Sequence, residues 1–202
     1  MISFSQKKAI KKIQTNSEEI NINTAGLDNI ILENSASDFL EIYLFAEDYD
    51  EQLIKIDEKP EVLKINFEFK GTETREVIFR KFITKRLQRA SVVVKIPKSK
   101  KVIIFGENVD ISSKNIKNKL SIYIDNGIVK LDTVKENTLV KFYSGNIYAT
   151  ANKMNIDVLS NLGKIKLDTI SYQKKYISLS KNSSKELKIV TIKGNIFLKS
   201  TD

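Results

Sequence analysis

No cysteine, histidine or tryptophan occurs among the 202 residues of this chain. Without thiols there is neither a disulfide framework nor a cysteine nucleophile. Without imidazole the chain cannot assemble a Ser-His-Asp triad, a Cys-His dyad or a structural zinc site from its own residues. Only oxygen-ligand sites for hard cations survive these exclusions, and the expectation is no metal, no cofactor and no catalytic residue. The chain also lacks a run of about 18 apolar residues, the length that a membrane-spanning helix needs. Its start, MISFSQKKAIKKIQ, has lysines but no apolar segment behind them, unlike a secretory signal. Read as it stands, the sequence points to a cytoplasmic protein.

What the chain does have is a repeat. Gly127, Gly145 and Gly163 are evenly spaced, eighteen positions apart, and the apolar residues around them keep fixed offsets. Ile122, Val140 and Val158 stand before the three glycines; Val129, Ile147 and Ile165, then Leu131, Ala149 and Leu167, stand after them. Gly194 carries the same frame in Ile189, Ile196 and Leu198 after a longer interval of thirty-one positions. Upstream, Val102, Ile104, Val109 and Ile111 fall twenty positions before Ile122, Ile124, Val129 and Leu131. A repeat of this kind is one supersecondary unit stacked on copies of itself. Within each unit apolar residues alternate, break at a Gly/Asn pair and resume, which reads as strand, turn, strand.

Two architectures produce such a pattern. In a solenoid, equivalent residues of successive units stack about 4.8 Å apart in parallel ladders; in an antiparallel meander, columns of like residues do not form. The uniform columns Ile122, Val140, Val158, Ile189 and Val129, Ile147, Ile165, Ile196 favour the solenoid. The expected fold is all-β: a single-stranded, right-handed, β-helix-like solenoid with a less regular β-rich N-terminal half. The expected organisation is one domain over residues 1–202, irregular over 1–90 and regular over 91–199. The extra residues before Gly194, within Tyr172 to Leu187, read as an insertion in the last unit, with Tyr176 to Leu179 a candidate strand. Further candidate strands are Ile20 to Asn23, Asn29 to Glu33, Leu40 to Ala46, Leu53 to Asp57, Val62 to Phe69 and Ser91 to Ile96, the last ended by Pro97.

Charge is unevenly spread. Residues 1–70 hold eight Lys/Arg against fourteen Asp/Glu, and residues 71–202 hold twenty-six against eleven. Such a split can orient a molecule toward an anionic surface. The four arginines, Arg75, Arg80, Arg86 and Arg89, share one short segment, with Lys81 and Lys85 among them. Arginine suits bidentate contact with phosphate or carboxylate, so these six residues are the candidate anion-binding site. The alternative is that they pair with the acidic Glu47 to Glu61 region. The segment Arg75 to Arg89 fits either a helix or a strand, and neither period wins.

The stretch Asn23-Thr24-Ala25-Gly26-Leu27-Asp28-Asn29-Ile30, the strand Ser91 to Pro97 and the Gly-x-Ile/Val-x-Leu units together resemble the bacterial putative-adhesin β-strand-repeat family. That family is of unknown function and is similar to the head GIN domain of putative autotransporter adhesins. The resemblance covers Ile20 to Leu198. It implies a β-solenoid-like fold, an adhesive role and association with the cell envelope, and it supplies no catalytic residue.

Other candidates resolve into structure. Asp132 and Asp168 share an outward offset two units apart, about 9.6 Å at ~4.8 Å per layer, at or beyond the ~6.5–9.5 Å of inverting glycosidases. With Lys130 and Lys166 beside them they read as a solvated face. Ser144-Gly145-Asn146 and Lys193-Gly194-Asn195 are turns, because no helix follows to cradle phosphate. Phe142 falls in an inward column, whereas Tyr148, in line with Lys130 and Lys166, is the candidate stacking surface for a sugar or base. The expected function is a non-enzymatic structural or binding module that self-associates or meets a protein or glycan. Binding of anionic polymers or membranes is the alternative, and no sequence-specific nucleic-acid motif is present.

Overall fold

The computed structural model describes residues 7–46, 53–68, 90–181 and 183–200, and every element among them is a strand. In chain order these begin with β1 (Lys7–Gln14), β2 (Glu19–Asn23), β3 (Asn29–Asn34), β4 (Phe39–Ala46), β5 (Ile54–Glu58) and β6 (Val62–Phe67). There follow β7 (Ser91–Ile96), β8 (Lys101–Asn108), β9 (Asp110–Lys114), β10 (Leu120–Val134) and β11 (Thr138–Ala151). The last six are β12 (Asn155–Ser160), β13 (Ile165–Leu167), β14 (Ile170–Tyr172), β15 (Lys175–Ser178), β16 (Glu186–Thr191) and β17 (Asn195–Ser200).

All seventeen strands join in one mixed sheet, which runs as two ladders bridged by the long strands β10 and β11. The first ladder reads β5, β6, β2, β8, β10, β11, β16, β12, β15. The second reads β1, β4, β7, β3, β9, β10, β11, β17, β13, β14. Interior pairings are parallel, and antiparallel pairing is confined to the ends of each ladder. The sheet is open: among the described residues β1, β5, β14 and β15 each pair on one side only.

The alternating sequence pattern explains the burial. In the first ladder Ile65, Ile22, Ile104, Ile122, Val140, Ile189 and Val158 form one column of paired neighbours. In the second, Val92, Ile30, Ile111, Val129, Ile147, Ile196 and Ile165 form another. Every one of these side chains is β-branched and fully buried, and all belong to a single core cluster. Branching at Cβ fits a pleated surface and loses little rotamer freedom there. Truncating one to alanine removes buried area and leaves a cavity, at a cost of about 2–5 kcal/mol.

Three expectations need correction. The columns are real, but their order in space is not their order in sequence: Ile189 lies between Val140 and Val158, because β16 and β17 lie between the β11 layer and the β12–β13 layer. Likewise β2 and β3 lie between β6–β7 and β8–β9. The extra residues before Gly194 therefore do more than lengthen a unit. They supply β14 and β15, which fold back antiparallel on β13 and β12 and let the chain return to the vacant layer. The upstream interval is eighteen positions rather than twenty, since Ile104 pairs with Ile122 and Ile111 with Val129. A slip of two keeps every side chain on its own face, so period-2 reasoning could not detect it. Finally, β1 had no sequence signal, because its lysines mask the alternation of Ala9, Lys11 and Ile13 on the inner side.

The glycines are corners where β10 and β11 cross from one ladder to the other. Gly127 and Gly145 pair with each other and have φ of 151° and 116°, a region unfavourable to residues with a Cβ. A Cβ on Gly145 would run into the carbonyl oxygen of Gly127, and one on Gly127 into that of Val109. Gly145→Ala is therefore expected to lower unfolding free energy by about 1–3 kcal/mol, measured as a lower urea midpoint at unchanged slope. An unchanged midpoint would show that the corner tolerates a side chain.

Candidate binding surfaces

Arg75, Arg80, Lys81, Lys85, Arg86 and Arg89 lie outside the described residues, as does the acidic run Glu47 to Glu51. The surfaces that can be built are the outer faces of the two ladders. Because β2 and β3 sit beside β8 and β9, acids from the N-terminal part of the sequence meet lysines from further on. Lys101 Nζ is 2.6 Å from Glu19 and Lys114 Nζ is 2.9 Å from Glu33.

On the second ladder this pairing extends into a column. Lys12, Glu41, Lys95, Glu33 and Lys114 are successive ladder neighbours with alternating charge. Opposite charges facing across strands stabilise the pairing, and like charges there would oppose it. The pairs are partly open to solvent, with Glu33, Glu41 and Lys95 half-buried, so each contributes little alone. The column is an ordering device as much as an adhesive one.

Beside it, Tyr43 donates a hydrogen bond of 2.5 Å from Oη to Glu41. Lys8 Nζ lies 4.4 Å and Lys95 Nζ 5.1 Å from the Tyr43 ring centre, and Lys12 covers Phe39 at 4.5 Å. The Tyr43 hydrogen bond is the main reason that the Glu41 carboxyl titrates below its usual 4.5; desolvation opposes it, and Lys12 and Lys95 add to it. The same bond, with desolvation and the nearby charges of Glu41 and Glu33, raises the Tyr43 hydroxyl above its usual 10.0.

The aromatic candidate changes character. Tyr148 is exposed, as expected, but its outward neighbours are Lys130 on one side and Phe197 on the other. Tyr148 and Phe197 stack with ring centres 4.9 Å apart and planes within 11°. One face of each ring is thus spent on the other, as in the aromatic ladders of stacked sheets. Phe105 and Tyr123 repeat the arrangement on the first ladder at 5.5 Å and 13°. Phe197 escaped the sequence reading because its unit was placed last. The signal was available: Gly145 and Gly194 are each followed at the third position by an aromatic, Gly127 and Gly163 by a lysine. Phe142 is buried, as its column implied.

Asp132 and Asp168 are further apart than two layers. The pairings Leu131 with Ala149, Ala149 with Leu198 and Leu198 with Leu167 put them three layers apart, or roughly 14 Å at ~4.8 Å each. Asp168 is also engaged, accepting hydrogen bonds from the Ser200 amide and hydroxyl at 3.2 and 2.6 Å. Its φ of 51° marks the turn between β13 and β14. Its chemistry is that of a turn anchor. Among the described residues no helix is long and apolar enough to cross a membrane.

No family model matches the sequence, and no curated protein matches it. Among solved structures, a putative cell adhesion protein from Clostridium sporogenes ATCC 15579 superimposes with a TM-score of 0.64 over 98% of this chain and 100% of that one, at 14% identity. A putative adhesin from Bacteroides fragilis NCTC 9343 aligns over 100% of both chains at 14% identity, with a TM-score of 0.34. A putative lipid binding protein from Parabacteroides distasonis ATCC 8503 aligns over 96% of this chain and 97% of that one at 13% identity, with a TM-score of 0.26. The first likeness establishes a shared fold; the other two superimpose too loosely to add to it. The chain has the all-β architecture of a protein named for cell adhesion.

The Tyr43–Glu41 bond gives a pH signature. A carboxyl with a lowered pKa stabilises the fold above its unfolded value, and that stability is lost as pH falls through the folded value. A phenol with a raised pKa stabilises below 10.0, and that stability is lost as pH rises through the folded value. The stability difference between the wild type and Tyr43→Phe, from chemical denaturation, should therefore be greatest near neutrality. It should shrink in acid below 4.5 and in base above 10.0. A difference independent of pH would contradict the hydrogen bond.

Proposed function

We propose that this chain is a non-enzymatic β-solenoid module of the adhesin type, which acts by presenting ordered sheet faces to a protein or glycan. The observation that carries it is the in-register passage of β10 and β11 from one ladder to the other at Gly127 and Gly145. A chain that gives one strand to each ladder in every layer winds as a solenoid. The outer faces support the binding role: charge alternates along one column, and aromatic rings stack along others at strand spacing. Such faces are rigid before contact, which lowers the ordering cost of binding. The fold likeness to the C. sporogenes protein supports the same assignment.

A second function is binding of an anionic polymer or membrane through Arg75, Arg80, Lys81, Lys85, Arg86 and Arg89. Confinement of all four arginines to one short segment favours it, since phosphate and sulfate are well met by guanidinium.

One panel tests both. The chain is passed over immobilised glycans, heparin and anionic vesicles, and the soluble glycans are then analysed by mass spectrometry. Saturable retention with unchanged glycan mass is expected; shortened glycans would overturn the non-enzymatic assignment, and no retention on any of the immobilised glycans would overturn the glycan-binding one. Heparin or vesicle retention that falls with salt and is lost in Arg80→Glu/Arg86→Glu/Arg89→Glu supports the second function. Retention that survives those substitutions removes the arginine segment as its cause.

A further inference from the structure

A groove of about 410 Å³ crosses the outer face of the second ladder and runs along the stack, across the strands. One wall is the row Ser112, Lys130, Tyr148 and Phe197, successive ladder neighbours on β9, β10, β11 and β17. The other wall, two residues further along each strand, is Lys114, Asp132, Thr150 and Lys199. Between the walls Ser113, Leu131 and Ala149 are buried, so the floor is largely backbone. Spanning four layers, the groove is roughly 14 Å long at ~4.8 Å per step. One irregularity lies in its second wall. Leu131 pairs with Ala149 and Val134 with Ala151, so Asp132 and Thr133 together face Thr150 alone. A bulge of this kind bends its strand and re-aims side chains, and bulges gather beside functional sites.

The groups on the walls suit a sugar. Phe197 covers one face of the Tyr148 ring, and the other face turns toward the β10 layer. Lysine nitrogens sit over Tyr43, Phe45, Phe39, Tyr123 and Tyr143, but over Tyr148 there is none among the described residues. That face, negative at its centre, is open to the C–H face of a pyranose ring. Beside it the Asp132 carboxylate can accept from sugar hydroxyls, and the hydroxyls of Ser112 and Thr150 can donate or accept. Charge narrows the choice. Lys114 is held by Glu33 at 2.9 Å, whereas Lys130, Lys199 and Asp132 form no ion pair among the described residues. Two uncommitted cations against one anion favour a ligand that is negative, but sparsely so. A nucleic acid, with a phosphate on every unit, would set repeated charge against Asp132. A glycan with acid groups on some of its sugars would not.

We propose, on the footing that the chain is a glycan-binding module, that this groove holds an acidic glycan as an extended chain. One sugar stacks on the open face of Tyr148, its hydroxyls donate to Asp132, and Lys130 and Lys199 meet the carboxylates or sulfates of its neighbours. The ladder fixes these groups at strand spacing before contact, so little ordering is left to the binding step.

Isothermal titration calorimetry on the full chain tests the assignment. The probes are oligosaccharides of hyaluronan and polygalacturonate, which carry carboxylates, and of keratan sulfate, which carries sulfates. At least one acidic series should bind saturably, more weakly as salt rises, and about tenfold more weakly after carboxyl reduction or desulfation. Tyr148→Ala, Asp132→Asn and Lys130→Gln/Lys199→Gln should each weaken it by about the same factor, with circular dichroism unchanged. The last two alter exposed side chains only, so they report on the groove even where Tyr148→Ala loosens the ring stack. Arg80→Glu/Arg86→Glu/Arg89→Glu should leave binding intact. Binding that survives the groove variants, or that the arginine variant abolishes, would overturn the groove and leave the chain a glycan binder. Equal or tighter binding of the neutral forms would overturn the acidic class. Oligothymidylate bound more tightly than every glycan would assign the groove to nucleic acid instead. No binding of any glycan, acidic or neutral, would overturn the site and the module together.

Discussion

Parallel strands in register place like side chains over one another about 4.8 Å apart, and this constraint governs every other part of the molecule. It turns the core into two columns of isoleucine and valine, seven layers deep, with no exposed member. A column of this kind rewards each layer for having a neighbour above and below. The chain therefore does not stack its units in the order it makes them. Toward one end β2–β3 form first and are then covered by β6–β7 on one side and β8–β9 on the other; toward the other end the chain skips a layer, builds β12–β13, and returns to fill the gap with β16–β17 against β11. The last strand, β17, consequently has two ladder partners, β11 and β13, where a sequential stack would leave it one.

The same spacing dictates what lies outside the core. Like charges would also stack, so the long columns alternate, as in Lys12, Glu41, Lys95, Glu33 and Lys114. Aromatic residues in adjacent layers stack instead of standing alone, as Tyr148 and Phe197 do. Corners need residues that allow one backbone to ride directly on the next, and Gly127 and Gly145 supply them. Interleaving of the layers also brings Glu19 and Glu33 of the acidic first part of the sequence against Lys101 and Lys114 of the basic second part.

Much of this was legible in the sequence because burial repeats with period two. The all-β class, the glycine corners, the inward positions and most strands before Pro97 could be read from alternation alone. Three features could not. A slip of two positions in the interval before Ile122 leaves the pattern of faces unchanged. The layer order depends on pairing partners far apart in sequence, which the alternation within a unit does not encode. The strand at Lys7–Gln14 hides behind lysines that protect its edge. Of the candidate surface, Tyr148 was correctly placed outside and Phe142 inside, yet the partner of Tyr148 was missed with the layer order. Asp132 and Asp168 were separated further for the same reason.

The interleaved order is the claim on which the stacked aromatics and the charge columns both depend. Its most direct measurement uses the absence of native cysteine. Lys141 and Val190 are ladder neighbours, as are Val190 and Leu159, all at outward positions. A disulfide needs Cα atoms within about 4.4–6.8 Å. Oxidised under mild conditions, Lys141→Cys/Val190→Cys and Leu159→Cys/Val190→Cys should form intramolecular disulfides, and Lys141→Cys/Leu159→Cys should not. A disulfide between positions 141 and 159, with none between 141 and 190, would restore the sequential stack and contradict the interleaved one.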